Sequence, residues 1–176
     1  GLFGATFLTP LATVQSLLPS PRMKPLRVTP WHTLTTITAY EYRGCDLGPY
    51  NEVAIGFPIT ISDKTPTLLA DLLRSRGSEL MAYVHRLPVT TKIARDVGIE
   101  FANYPKFLAD IDFETKDNWL HCHLSEAGGH ILTLSVRQPP LKASGRSRLH
   151  SITTRTGRIL RLEFVLSERQ LGTVRD

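Results

Sequence analysis

Cysteine is nearly absent from this chain. Cys45 and Cys122 are the only two among 176 residues. Two do not make a disulfide framework, so a reduced, cytoplasmic setting is expected, with either thiol acting as a small buried hydrophobe. Long apolar runs are missing too. None approaches the roughly 20 residues that span a bilayer, so no membrane association is expected. The opening GLFGATFLTPLATV is apolar but has no basic flank before it. It makes a poor signal peptide and a good first strand leading into a helix. Acidic residues are absent from Ala127 to Leu162, a window that holds Arg137, Lys142, Arg146, Arg148, Arg155, Arg158 and Arg161. That window lacks interleaved aromatics and any nucleic-acid motif. It reads as a solvated face or a field that draws small anions, and no nucleic-acid partner is expected. Also missing are a Gly-rich phosphate loop followed by a helix and a Ser or Cys in a nucleophile elbow.

What is present is globular. Hydrophobic residues make up 41% and charged residues 21%, with a net charge of +5. The length suits one domain, taken as 1–176, with a real core. TPLATVQSLLP (Thr9–Pro19) predicts a short helix with Thr9 as cap, Pro10 in the first turn and Pro19 as stop. HTLTTITAYEYRG (His32–Gly44) is a strand, and a Gly-Pro turn leads to a second one ending near Ser62. TPTLLADLLRSRG (Thr65–Gly77) predicts a helix with Thr65 as cap and Leu68, Leu69, Leu72 and Leu73 as its apolar stripe. ELMAYVHRL is a strand, and PVTTKIARDVG is a short helix or turn ending at Gly98. Strands follow at IEFANY, FLADIDFE, NWLHCHLS and GHILTLSV, with turns at TKDN and EAGG. HSITTRTGRILRLEFVL is a hairpin turning near Thr156-Gly157, and Gln138–Arg148 is a candidate mobile loop. The expected fold is mainly β (α+β): an antiparallel barrel or cone of about 8–10 strands with two or three short helices. A short barrel with open edges favours a homo-oligomer.

One residue interrupts this pattern. In NYPKFLADIDFE, Lys106 sits among Tyr104, Pro105, Phe107 and Leu108. Burying an unpartnered ammonium costs several kcal/mol or forces it neutral. Neutral is what covalent chemistry needs. At the reference pKa near 10.4, roughly four lysines in ten thousand are neutral at pH 7, and a pKa of about 7 needs about 4–5 kcal/mol of differential interaction. Pro105 fixes its own φ and pushes Tyr104 toward an extended shape, which gives the amine a stiff stem. Such an amine condenses with a ketone. The iminium is an electron sink, so an adjacent bond can break, as in loss of CO₂ from a β-keto acid or an aldol-type step.

GIEFANYPKFLADI (Gly98–Ile111) resembles the signature of the acetoacetate decarboxylase superfamily, in which Gly-Arg-Glu, a short aromatic-containing spacer and Pro-Lys follow one another. Gly98, Glu100, Tyr104, Pro105 and Lys106 match it at the family's spacing. GPYNEVAIGFPI (Gly48–Ile59) is similar to the family's turn-and-strand segment with a Tyr-x-Glu, matched by Tyr50 and Glu52. The resemblance runs to about Leu134. It implies that Lys106 forms the Schiff base, that Glu52 orients substrate or moves protons, and that Tyr50, Glu100, Tyr104 and Phe107 contact substrate. It also implies a lyase acting on a small keto acid or ketone, without cofactor or metal. The chain departs from the family's decarboxylases at Phe107, where they carry a second lysine, and at Ile99, where the family has arginine. Thr35 or Thr36 stands in the region of a second family carboxylate, and no residue matches the family's substrate-facing arginine. Without the second lysine, desolvation is left as the main way to a neutral amine. Aldol or dehydration chemistry through the same lysine is the comparable reaction. Two other readings compete: a non-catalytic ligand-binding barrel, and a metal-binding barrel using His121 and His123 with Glu126 nearby.

Overall fold

A computed structural model describes residues 1–64, 67, 68, 70, 79–138 and 146–167. The expected helix at Thr65–Gly77 falls almost wholly outside these residues, as does most of the Gln138–Arg148 loop. Eleven strands and two helices are described. In chain order they are β1 (Leu2–Pro10), α1 (Leu11–Leu17), β2 (Met23–Pro25), β3 (His32–Tyr42), β4 (Tyr50–Ile61) and β5 (Glu79–Val89). Then come α2 (Lys92–Ala102), β6 (Lys106–Leu108), β7 (Asp110–Lys116), β8 (Trp119–Glu126), β9 (Gly129–Arg137), β10 (Arg146–Arg155) and β11 (Arg158–Ser167).

The strands form two sheets. The larger runs β1-β3-β4-β5-β10-β11, with β2 added beside β4 and β6 beside β5; the smaller is β7-β8-β9. Mainly β is therefore the fold class, but the expected antiparallel barrel is not. Strand β5 pairs in parallel with both β10 and β6. Among the described residues no ladder joins β1 to β11, so the large sheet stays open. The chain leaves that sheet at Ala109, whose N–H makes a last bond to the Val89 carbonyl, and enters the small one. The uninterrupted alternation of FLADIDFE conceals this change of sheet.

Three hairpins turn where the sequence places them, at Asp117-Asn118, Ala127-Gly128 and Thr156-Gly157, each with both turn residues at positive φ. Such turns match the right-handed twist of the strands they join. The start of α1 differs from expectation. Thr9 is still in β1, its hydroxyl is hydrogen-bonded to Thr35 at 2.7 Å, and no side chain caps the helix. Cys122 is buried as expected, whereas Cys45 is exposed.

Alternation along β3 and β4 divides the large sheet into two faces. Ala39 and Val53 point to one side and join Ile111, Cys122, Leu124 and Leu134 of the small sheet in a shared core. A second core packs Val14 of α1 against Met23, Phe57, Ile59 and Ile152. Thr36, Thr38, Tyr40, Tyr42 and Glu52 point the other way, into a cavity that α2 helps to close.

Candidate active site

The cavity has a volume of about 400 Å³. Its floor comes from β3, β4 and β5, one wall from Ala94, Val97 and Gly98 of α2, and another from Leu149 and Ser151 of β10 with Phe164 of β11. Apart from one ion pair its surface is mostly apolar or aromatic.

That pair is Lys106 and Glu52. The Lys106 ammonium donates to Glu52 Oε2 at 2.7 Å, and the two side chains are only 7% and 9% exposed. The strands bring them together over 54 residues of sequence. Glu52 lies opposite Tyr40 on β3 and Val89 on β5, while Lys106 lies beside Leu87 on the far side of β5. The two long side chains bridge the strand between them. Burial pushes the Glu52 carboxyl above its ordinary value, and the neighbouring Lys106 opposes that rise.

The stem of Lys106 is built as well as sequenced. Helix α2 ends at Asn103, which adopts the left-handed conformation (φ 51°) that Asn tolerates better than most residues. Its amide donates to the Thr154 carbonyl at 2.5 Å. The Thr153 hydroxyl donates to the Ala102 carbonyl at 2.7 Å, and the Arg155 guanidinium donates to the Ile99 and Glu100 carbonyls. The last turn of α2 is thus tied to β10 just before Tyr104-Pro105-Lys106. Helix α2 runs through Gly98 to Ala102, so Ile99–Ala102 is helix and not the expected strand. The glycine that reads as a stop has another reason to be there: a Cβ on it would lie 2.6 Å from both Cδ and Cε of Lys106. The lysine side chain crosses the helix where the helix has no side chain.

Tyr50 and Tyr104 line the same cavity. The Tyr50 ring centroid is 5.7 Å from the Lys106 Nζ, and Tyr104 shares a 2.5 Å hydrogen bond with Ser151. Tyr40 and Tyr42 complete an aromatic wall in which Tyr42 stacks on Tyr50 at 4.5 Å and on Tyr40 at 5.9 Å. Burial, with Glu52 close by, pushes the phenols of Tyr40 and Tyr50 up to about 12 and that of Tyr42 higher still. These rings therefore stay protonated at neutral pH. Tyr40 and Tyr42 were not singled out from the sequence, although TTITAYEY carries the signal: period two places Thr36, Thr38, Tyr40 and Tyr42 on one face. Nothing in the sequence marks Ser151. Glu100 and Phe107 are not brought to the cavity. Glu100 is exposed on α2, because the helix continues past Gly98 and turns it to solvent. Phe107 follows Lys106 on β6 and alternation points it to the opposite face. Of the two threonines in question, Thr36 lines the cavity and Thr35 faces away toward Thr9.

His121 and His123 lie on the outer side of the small sheet. Their rings stack at 6.2 Å, and each is hydrogen-bonded to a β9 hydroxyl, Ser135 or Thr133. Among the described residues no group of three or more His, Cys, Asp or Glu side chains is arranged to hold a metal. Also among these residues, no helix is long and apolar enough to cross a membrane.

The site is defined by a buried lysine–carboxylate pair in a mostly apolar cavity on one face of a β-sheet. The acetoacetate decarboxylase family model matches residues 2–167, and the chain belongs to that family. Solved structures agree on the fold. An acetoacetate decarboxylase superposes with a TM-score of 0.65 at 14% identity over 86% of this chain and 57% of its own. The acetoacetate decarboxylase of Legionella pneumophila also gives 0.65, at 16% identity over 93% and 62%. The enduracididine biosynthesis enzyme MppR, complexed with pyruvate, gives 0.59 at 13% identity over 91% and 65%. The chain thus spans about three-fifths of the length of these relatives. No curated protein matches it in sequence.

Proposed function

We propose that the chain is a Schiff-base-forming lyase acting on a small keto acid or ketone, with Lys106 as nucleophile and Glu52 as general acid–base. The observation that carries this reading is the 2.7 Å Lys106–Glu52 pair, buried and open only to an apolar cavity. Lysine chemistry of this kind has acetoacetate decarboxylase itself as its known example. Pyruvate bound to the similarly folded MppR supports a small carbonyl compound as the ligand class.

The steps follow from the groups present. Glu52, whose carboxyl burial makes a better proton acceptor, takes a proton from the Lys106 ammonium across their hydrogen bond. The free amine attacks the carbonyl carbon. Glu52 returns that proton to the carbonyl oxygen and then carries a second from the attached nitrogen to the same oxygen, which leaves as water and gives an iminium. An adjacent C–C bond then breaks toward the iminium nitrogen, releasing CO₂ or a second carbonyl compound, and leaves an enamine. Protonation at carbon and hydrolysis free the product and the lysine. The Tyr50 ring, 5.7 Å from the nitrogen, offers its negative face to the positive charge carried there. Tyr104, held by Ser151, limits the space beside the reacting carbon. Glu100 and Phe107 take no part. The exposed ends of the large sheet, β1 and β11, are compatible with assembly into a homo-oligomer.

In ¹⁸O-enriched water, a Schiff-base enzyme exchanges the carbonyl oxygen of its ligand, because that oxygen leaves as water and returns from solvent. The expected result is accelerated exchange with the wild type and background exchange with Lys106→Ala. No acceleration by the wild type over a panel of ketones and keto acids would contradict the reading.

A further inference from the structure

Resting on the Schiff-base reading, we infer that the cavity takes an uncharged carbonyl compound bearing an extended apolar chain, in preference to a small keto acid. Three observations lead there.

The first is polar accounting. Nine polar side chains line the cavity among the described residues, and its two charged ones are partners of each other. Thr36 donates to the Gly56 carbonyl at 3.2 Å. Tyr104 is hydrogen-bonded to Ser151 and Lys106 to Glu52, and the other four are the uncharged hydroxyls of Thr38, Tyr40, Tyr42 and Tyr50. The one cation in this described lining is matched by the one anion at 2.7 Å. A substrate carboxylate entering here would lose its hydration and meet Glu52 with no further cation among the described lining residues to offset either cost.

The second is a β-bulge. On β5 the cavity-facing residues are Ala82 and Val84, and strict alternation would make Arg86 the next. The ladder instead pairs Ile55 with Arg86 and Gly56 with Val84, so β5 carries one extra residue, His85, at this point. The extra residue flips the alternation. Leu87 faces the cavity in place of Arg86, which is exposed and donates to the His85 carbonyl. The strand spends an irregularity where it keeps a guanidinium out.

The third is extent. The Lys106–Glu52 pair lies toward one end of the cavity. The lining continues along β4 from Glu52 through Ala54 and Gly56 to Pro58, on the order of 20 Å of strand at about 3.3 Å per residue. Beyond the pair the walls are Pro58, Met81, Ala82, Val84 and Leu149, with the hydroxyls of Thr36, Thr38 and Ser151 among them. A volume of about 400 Å³ is in the range that holds ligands much larger than a three- or four-carbon acid. A short ligand would leave most of this apolar wall against water, whereas a chain lying along it would bury both surfaces.

Two matched pairs of probes separate charge from length. Acetone and pyruvate differ by a methyl replaced with a carboxylate, and so do nonan-2-one and 2-oxononanoate. Each is incubated with the wild type and borohydride. The hydride adds to the iminium carbon and fixes the ligand on the lysine nitrogen as a secondary amine. Peptide mass mapping then gives the concentration for half-maximal labelling of Lys106. Nonan-2-one is expected to label at concentrations at least tenfold below both acetone and 2-oxononanoate. Equal or better labelling by either keto acid would overturn the inference and leave the Schiff-base reading standing. Acetone labelling as well as nonan-2-one would overturn the extended-chain part alone. No adduct on Lys106 from any of the four would overturn both.

Discussion

Lys106 and Glu52 form one buried ion pair, and the proposed chemistry rests on both. Burial raises the Glu52 carboxyl, with Lys106 opposing. The carboxylate that must accept the ammonium proton exists above that raised pKa, so activity should fall as pH drops through it. The acid limb of a kcat/KM profile is therefore expected at higher pH than a solvent-exposed glutamate would give. Glu52→Gln should abolish that limb and lower kcat by about 10²–10⁴-fold, the usual worth of a positioned acid–base group; a pH–rate series on both proteins checks it. Gly98 offers a second test. Alanine is about 1 kcal/mol better than glycine inside a helix, so on propensity Gly98→Ala should stabilise α2. Its Cβ, however, would lie 2.6 Å from Lys106 Cδ and Cε, and the lysine can yield only by leaving Glu52. Thermal unfolding should show a lowered Tm, because parting the buried pair costs more than helix propensity returns, and Lys106-dependent ¹⁸O exchange should fall by about 10²-fold, as for a misplacement of about 1 Å. From sequence, Gly98 belongs to the motif but reads as a helix stop, because the chain alone does not reveal which side chain lies over it.

At the scale of elements, the join between α2 and β6 fixes the direction of Lys106. Asn103 holds φ at 51° and ties the helix end to Thr154. Asn103→Ala loses both the amide hydrogen bond and a residue type that tolerates this φ, and should cost about 2–3 kcal/mol. Asn103→Gly loses the bond but keeps the conformation, and should cost about 1 kcal/mol less. Urea denaturation of the two variants separates the contributions. The hairpins were readable because two-residue turns demand residues that accept positive φ, as at Asp117-Asn118 and Thr156-Gly157. The helical state of Ile99–Ala102 was not readable. Its aromatic and apolar run fits a strand, and what settles it is tertiary: Thr153 and Arg155 of β10 satisfying the last carbonyls of α2. The bulge at His85 is equally silent in sequence, although it decides whether Arg86 or Leu87 faces the cavity.

At the scale of the whole molecule, the shared core and the cavity occupy opposite faces of one sheet. The small sheet packs on Ala39 and Val53, and the cavity opens on Tyr40 and Glu52, one residue away on each strand. Leu124, buried at the centre of the shared core, should therefore affect stability more than chemistry. Leu124→Ala is expected to cost about 2–5 kcal/mol in urea denaturation, with ¹⁸O exchange per folded molecule close to the wild type. Alternation along β3 and β4 made both faces legible, since it names the residues that point together. It could not tell that, among the described residues, the faces belong to a mixed sheet with no ladder closing it, backed by a second sheet. Sheet membership depends on which strand each edge finds, as when β6 joins β5 and β7, one residue later, does not. Of the family motif, Tyr50, Glu52, Tyr104 and Lys106 line one cavity. Glu100 belongs to the same motif yet lies on the solvent side of α2.

The central claim is that the Lys106 nitrogen bonds covalently to a carbonyl carbon. Borohydride reduction in the presence of saturating nonan-2-one, acetone or pyruvate, followed by peptide mass mapping over all lysines, tests it most directly. The predicted result is one stable adduct per chain, on the peptide containing Lys106, and none in Glu52→Gln at equal exposure time. Modification spread over surface lysines, or a Lys106 peptide of unchanged mass with every ligand, would contradict it.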